Sequence, residues 1–192
     1  MSQNNANNVS VGKPKVGGAI FTAPKGTVVP TSATEALGEA FVNIGYASED
    51  GLTETPTRDS EAIKAWGGDT VLSVQTGYEK TFGFKAIELN TASLELVFGA
   101  DNVTVGPDGV VIKSNAKELP VQVFVFELVL SNGEIERIVV PVGKVSEVGE
   151  ITYVDNEPIG FEVTITALPD AEGNSDYRYI ARPIPPTPPT DE

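Results

Sequence analysis

The sequence predicts a mainly β protein, a β-sandwich or barrel with one short flanking α-helix. Three observations predict this class. Apolar and polar residues alternate in several segments, as they do in strands with one buried face. Asn-Gly and Gly-Pro-Asp-Gly turns separate such segments. Helical spacing of apolar residues occurs in one short stretch, at about 90–98. We expect strands to build the core and the helix to cover an open side or end of the sheet.

The N-terminal part predicts an arm followed by short strands. Residues 1–16 are rich in Asn and Ser and contain few large apolar groups, which is typical of a flexible arm. A single domain is expected over 17–182. Its first elements are a strand at 18–23, a loop at 27–39 that allows one helical turn at 33–37, and a strand at 41–46.

A long excursion follows at about 47–62. It combines Asp-Gly, a proline and several charges, and it is too long for a plain connection in a compact domain. Two interpretations stay open: a floppy hairpin tip, or a protruding hairpin that docks on a neighbouring subunit. The second makes the following residues candidates for inter-subunit contact: Glu49, Asp50, Leu52, Arg58, Lys64 and Trp66. Trp66 is the only tryptophan, and we interpret it as a core or sheet-edge anchor rather than a carbohydrate platform.

The central part predicts two strands and the helix. A strand at 71–76 places Val71, Ser73 and Gln75 on one face, and a second strand at 80–89 follows after Gly77. Asn90 is the predicted N-cap of the helix. Leu94, Val97 and Phe98 form the apolar face of this helix, which ends at Gly99.

The remaining strands are predicted by alternation and turn residues. They lie at 110–113, 121–130, 134–142, 151–154 and 159–168, with a further edge strand at 177–183. The strand at 121–130 is apolar on both faces and should lie between two layers, and Asn132-Gly133 should connect it to the next as a hairpin. In the strand at 159–168, Phe161, Val163 and Ile165 should face the core. Residues 183–192 are Pro-rich and predict a disordered tail.

Composition excludes several classes of function. The 192 residues contain no Cys and no His, which removes disulfides, zinc-type ligand sets and the commonest general base. We therefore expect no enzyme activity, no cofactor and no metal site. The net charge of −14 argues against tight binding to nucleic acid. No apolar run is long enough to span a membrane, and no secretory signal is evident, so we expect a protein made in a cytoplasm.

An ordered set of motifs resembles a known family. These motifs are AIFTAP at 19–24, FVNIGYASEDGLTET at 41–55, AWGGD at 65–69, IELN at 87–90 and FGADNVTV at 98–105. Together they resemble the major tail tube protein of phages with long non-contractile tails, and the resemblance runs from about Gly18 to about Ala167. No single motif is specific, and the resemblance rests on their order.

The resemblance implies a structural virion protein. Members of that family form rings of six subunits whose strands complete a continuous inner barrel, and the rings stack into a tube that conducts DNA. It further implies a tape-measure protein and tail tip or terminator proteins as partners, and assembly in the bacterial host cytoplasm. An acidic wall would repel the passing phosphates. Two strands offer candidate lumen-facing residues, Glu162, Thr164 and Thr166 on one and Ser73, Gln75 and Glu79 on the other.

A binding module is the alternative interpretation. An immunoglobulin-like or carbohydrate-binding β-sandwich would use Trp66 with four tyrosines as an aromatic platform; these are Tyr46, Tyr153, Tyr177 and Tyr179. Such a module explains the strands and the lack of catalytic residue types. It does not explain the single helix or the Asn-rich arm. The two interpretations differ in oligomeric state, since a module stays monomeric.

Overall fold

The computed structural model describes residues 9–15 and 18–182, and these residues form a mainly β fold with one α-helix. The strands are β1 (Gly12–Pro14), β2 (Ile20–Pro24), β3 (Val42–Asn43), β4 (Ala47–Lys64), β5 (Thr70–Ala86), β6 (Val103–Gly106), β7 (Gly109–Ile112), β8 (Val121–Leu130), β9 (Ile135–Val148), β10 (Phe161–Ala167) and β11 (Tyr177–Ala181). Helix α1 spans Thr91–Phe98 and is followed by a 3-10 turn, Ala100–Asn102. The predicted fold class is confirmed.

Most of the strands belong to one antiparallel sheet. Its order is β3-β2-β8-β9-β10-β5-β4, with β1 paired to β8 and β11 paired to β9. β6 and β7 form a separate two-stranded sheet. The short connection between β3 and β4 bonds to both ends of the large sheet, because the Ile44 amide donates to Ile20 (3.0 Å) and the Ile87 amide donates to Tyr46 (2.9 Å). The sheet therefore curls back on itself around the core.

The core fills the inside of this curled sheet. Phe82 and Phe126 stack at 5.2 Å between ring centroids, and Phe84 meets the edge of Phe126 at 6.3 Å. All four inward-pointing apolar residues of β10 are buried, and two of them are fully buried; the set is Phe161, Val163, Ile165 and Ala167. The predicted alternation of β10 is confirmed.

Helix α1 covers one side of this core as predicted. Asn90 is its N-cap, and its side-chain oxygen accepts a hydrogen bond from the Ser93 amide (2.9 Å) while the Ser93 hydroxyl accepts one from the Asn90 amide (3.1 Å). Gly99 ends the helix with a φ of +86°, a conformation that glycine adopts without strain. Phe98 packs edge-on against Phe161 at 5.8 Å.

A loop covers the outer side of β8 and β9, which explains why β8 is buried on both faces. Arg137 of β9 is buried and paired with Glu127 of β8, and its guanidinium also donates to the carbonyl oxygens of Ser32 and Glu35, each at 2.7 Å. The predicted loop at 27–39 is therefore confirmed. The helical turn at 33–37 does not form, and the Ser32 and Glu35 carbonyls point to Arg137 instead.

Several predicted boundaries are wrong. Residues 71–76 and 80–89 are not two strands, because β5 runs unbroken from Thr70 to Ala86 and pairs with β4 along its length. Residues 151–154 form no strand, and only Val42–Asn43 of the predicted strand at 41–46 is a strand. Within the predicted arm at 1–16, β1 pairs with β8. Residues 1–8 of that arm, residue 16 and the Pro-rich tail at 183–192 lie outside the described residues.

Candidate assembly surfaces

The outward face of β10 continues onto β5. Glu162, Thr164 and Thr166 alternate with the buried residues of β10 and lie at the surface. In register, Glu162 is opposite Lys85 and Thr166 is opposite Thr81. Opposed residues of paired strands share a face. Of the second predicted lining, Glu79 therefore lies on the same surface as the β10 residues.

We call this surface the threonine face. Its members are Thr53, Thr55 and Thr57 of β4, Glu79, Thr81, Gly83 and Lys85 of β5, and Glu162, Thr164 and Thr166 of β10. Thr166 approaches Glu79 at 3.5 Å between side-chain oxygens. Gly83 and Gly51 leave an open groove of about 430 Å³ across it, and hydroxyls and carboxylates dominate the groove lining. The face is polar and carries two carboxylates, Glu79 and Glu162, and one cation, Lys85.

A bulge removes Ser73 and Gln75 from this face. Gly77 is opposite Asp59, but Gln75 is opposite Ser60, so two residues of β5 match one of β4 at this point. Asp59 and Ser60 are consecutive and point to opposite faces. The prediction that Ser73 and Gln75 share a face with Glu79 is therefore wrong, because the register shift reverses the alternation.

The excursion predicted at 47–62 is strand β4, one side of a long hairpin with β5. β10 pairs with β5 only as far as Thr81, so beyond that point β4 and β5 continue as a two-stranded ribbon. We call residues 57–64 and 70–80 with their connecting turn the ribbon. The ten residue steps from Lys80 to Thr70 span roughly 33 Å. Of the two open interpretations, a protruding hairpin describes what the structure contains.

The six candidate inter-subunit residues lie at two places on this hairpin. Glu49 and Asp50 lie near its root, where residues 48–51 bulge out between two paired positions, and Leu52 packs partly against the core. Arg58 lies within the ribbon, with its guanidinium 4.7 Å from the Tyr78 ring centroid. Lys64 ends β4, and Trp66 lies in the turn.

Trp66 does not anchor the core of this chain. It is fully exposed, at 106% of the reference area, on a turn closed by a hydrogen bond of 2.7 Å from the Ala65 amide to Asp69. The next two residues are glycines with φ of +114° and +99°, which permit the tight reversal. The glycine pair and flanking strands were the signal for a turn, and they place the indole at the far end of the ribbon.

The ribbon also exposes apolar side chains that sequence analysis did not select as contacts. Leu72 and Ile63 are opposite each other and half exposed, and Val74 is exposed on the same face. Val71 is 63% exposed on the opposite face. The adjacent apolar pair Val71 and Leu72 was the available signal, because a strand with one buried face alternates apolar with polar residues.

The root of the ribbon carries a network of ion pairs. The Lys80 ammonium lies 2.6 Å from Asp176 and 2.8 Å from Glu54, and Lys80 is only 8% exposed. Arg178 pairs with Glu54 and lies 3.2 Å from Glu136. The network thereby joins β4, β5, β9, β11 and the segment that leads into β11.

These contacts shift the pKa values of Lys80 and Glu54. Burial opposes the charged form of Lys80, but hydrogen bonds to Asp176 and Glu54 outweigh burial and raise the pKa of Lys80 above 10.5. Burial likewise works against the charged form of Glu54. The Lys80 hydrogen bond and the Arg178 charge prevail and hold the pKa of Glu54 below 4.5.

The proposed aromatic platform is not assembled in the chain. Trp66 lies at the ribbon end, Tyr46 precedes β4, and Tyr153 lies in the irregular segment after β9. The Tyr177 hydroxyl donates to Asp170 at 2.6 Å, which ties it to its own loop. Ring contacts within residues 9–15 and 18–182 join phenylalanines.

Neither a cluster of metal-ligand side chains nor a membrane-spanning helix occurs among the described residues. Within 9–15 and 18–182, no cluster of three or more His, Cys, Asp or Glu residues could hold a metal ion. Across the same residues, no helix is long and apolar enough to cross a membrane.

Comparison with known proteins identifies the family. No curated protein matches the chain. A family model described as phage tail tube protein matches residues 1–190, which is nearly the whole sequence. The mainly β fold with one short flanking helix agrees with that match. The chain therefore belongs to the phage tail tube protein family.

Proposed function

We propose that this structural tail protein assembles into rings of six subunits, and that the rings stack into the tube of a long non-contractile tail. The tube carries DNA into the host when the phage ejects its genome. Assembly takes place in the bacterial cytoplasm, and a tape-measure protein and tail tip or terminator proteins are its partners there. Family membership and the resemblance of the ordered motifs support this proposal.

The observation that carries the proposal is the apolar ribbon. A two-stranded hairpin without further support is only marginally stable in water. This ribbon nevertheless extends about ten residues beyond its last contact with β10 and exposes five large apolar side chains, namely Ile63, Trp66, Val71, Leu72 and Val74. Each such side chain gains roughly 1.5–3 kcal/mol on full burial. The ribbon is therefore the part of the chain best suited to dock on a neighbouring copy.

Ring closure uses the sheet edge beside the threonine face. β4 is the last strand of the sheet path, and its edge near Thr53 and Thr55 offers backbone donors and acceptors to a second copy. Pairing there would continue the sheet from subunit to subunit and close it into a barrel. The threonine face would line that barrel. Its Glu79 and Glu162 would repel DNA phosphates within a Debye length of about 8 Å.

Purified protein tests the proposal through its oligomeric state. We expect sedimentation velocity to show rings or longer polymers and negative-stain images to show tubes above a critical concentration. Trp66→Ala should raise that concentration by at least about tenfold, because a buried tryptophan anchor carries about 2 kcal/mol or more.

The matched control is Tyr153→Ala, which removes another exposed aromatic residue far along the chain from the ribbon. It should leave the critical concentration unchanged. A wild-type protein that stays monomeric at millimolar concentration would favour the monomeric binding module instead.

A further inference from the structure

We propose that the ion-pair network at the root of the ribbon is a brace that fixes the direction in which the ribbon projects. Lys80 is its central positioning residue, with Glu54, Asp176 and Arg178 as its partners. The consequence for assembly rests on the proposed docking of the ribbon. The brace itself is a property of the single chain.

Lys80 lies at the point where the ribbon leaves the three-stranded part of the sheet. Backbone pairing of β5 with β10 ends at the pair Thr81–Thr166, so the next residue outward is the first one that a third strand does not hold. A two-stranded ribbon can bend or twist about such a point more easily than a wider sheet. Lys80 is that residue, and it is the buried cation of the network.

The partners of Lys80 come from two different parts of the sheet. Glu54 belongs to β4, whereas Asp176 precedes β11, which is paired to β9. Lys80 thus bridges the ribbon to a part of the sheet with which β5 shares no backbone pairing. Arg178 of β11 adds a second bridge to Glu54 and is itself held by Glu136 of β9. Lys80 therefore links the first residue of the ribbon to the β9–β11 part of the sheet, and Arg178 links the adjacent part of β4 to the same place.

The Lys80 side chain is buried and packed against its neighbours. An exposed ion pair would contribute little, because solvent screens the charges and the long side chains lose entropy. The Lys80 ammonium is nearly covered, the side chain of Asp176 is 13% exposed, and the ammonium also lies 5.4 Å from the Phe82 ring centroid. These contacts restrict the Lys80 side chain to one arrangement. A brace of this kind keeps the ribbon pre-oriented and lowers the entropy lost on docking.

The single tryptophan provides a direct test without a label. Trp66 lies at the far end of the ribbon, so its fluorescence anisotropy below the critical concentration reports ribbon motion in the monomer. Trypsin cleavage after Arg58 and Lys64 reports the same motion independently. We expect Lys80→Met to lower the anisotropy, to speed both cleavages several-fold and to raise the critical concentration. Far-UV circular dichroism should show a folded protein.

Three further variants separate the brace from general stability. Lys80→Arg keeps the charge and should restore near wild-type values. Asp176→Asn removes one partner and should give an intermediate effect, which keeps the test usable if Lys80→Met fails to fold. Lys117→Met breaks an exposed ion pair between Lys117, in the loop before β8, and Asp101, in the 3-10 turn. This control should change neither the anisotropy, nor the cleavage rates, nor the critical concentration.

The outcomes distinguish this inference from the proposed function. Wild-type anisotropy and cleavage rates in Lys80→Met would overturn the brace, whatever Trp66→Ala does to assembly. An unchanged critical concentration in Trp66→Ala would overturn docking through the indole and leave the anisotropy test valid. A mobile ribbon combined with unchanged assembly in Lys80→Met would refute the claim that ribbon direction matters for docking.

Discussion

At the scale of single residues, Arg137 is a buried cation that joins two strands and a loop. It is 2% exposed, it shares Glu127 with Lys15, and it donates to the loop carbonyls of Ser32 and Glu35. Removing Arg137 leaves the buried Glu127 with only the partly exposed Lys15 as its ion-pair partner, and it removes the donor to the two loop carbonyls. We expect Arg137→Met to lower the free energy of unfolding by about 3 kcal/mol, measured by urea denaturation.

A double variant shows how much of this loss comes from the Glu127 carboxylate that has lost its buried partner. Glu127→Leu combined with Arg137→Met removes both charges, and buried pairs replaced by apolar residues are often neutral in stability. We expect the double variant to be more stable than Arg137→Met alone. Strictly additive losses in the two single variants would contradict coupling between these side chains.

Single residues also show where prediction from sequence succeeds. Asn90 and Gly99 were identified as the ends of helix α1 because caps act through neighbouring backbone groups. Trp66 was misplaced because its exposure depends on the length of a hairpin that sequence periodicity did not reveal. Gln75 was placed on the wrong face because a single extra residue in β5 reverses the alternation, and the bulge is defined only by the opposite strand.

At the scale of elements, β4 is the longest strand that the sequence did not predict. Its residues are mostly polar and include Pro56, so local preference points to a loop. Pairing with β5 forms it, and such pairing is a long-range property. By contrast, Asn132-Gly133 predicted the β8–β9 hairpin from two residues. The Leu130 amide donates to Glu134 at 2.8 Å, and Gly133 has a φ of +82°.

The brace predicts a pH dependence of stability that can be assigned to one carboxylate. The pKa of Glu54 is lowered in the folded chain, so its contribution is fully present above about pH 4.5 and is lost as pH falls through the lower folded value. The raised pKa of Lys80 gives the opposite sign, with a contribution that is present below 10.5 and is lost as pH rises beyond the folded value.

Urea denaturation at several pH values between 6 and about 3 measures the acid limb of the stability curve, which is the fall in the free energy of unfolding toward low pH. Glu54→Gln should show a shallower fall in stability over this range than the wild type, since it has no proton to bind at this position. Equal slopes for both proteins would show that Glu54 is not responsible for the acid limb. Asp170, whose pKa is also lowered by the Tyr177 hydroxyl, remains in both proteins and cancels in the comparison.

At the scale of the whole molecule, the curled sheet separates three surfaces. The loop at 27–39 covers the outer side of β8 and β9, and helix α1 covers the core. The ribbon projects beyond the sheet, and the threonine face stays open. Sequence analysis predicted the core strands and the polar strand faces. The sequence left two candidate linings open, and the register places Glu79 on one surface with the β10 residues while Ser73 and Gln75 point to the opposite face. Assembly would therefore place Glu79 and the β10 residues in the same position relative to the tube axis.

Charge reversal on the threonine face tests its proposed role as the wall of a DNA conduit. In phage that carry Glu79→Lys with Glu162→Lys, two repelling carboxylates become two cations that attract phosphate. We expect tubes to form in normal number, counted by electron microscopy, and genome delivery to fall by roughly tenfold or more, measured as infectious titre per particle. The matched control is Glu39→Lys with Glu157→Lys, which makes the same change in net charge at exposed positions outside the face. Equal delivery by the two double variants would mean that the threonine face does not line the channel.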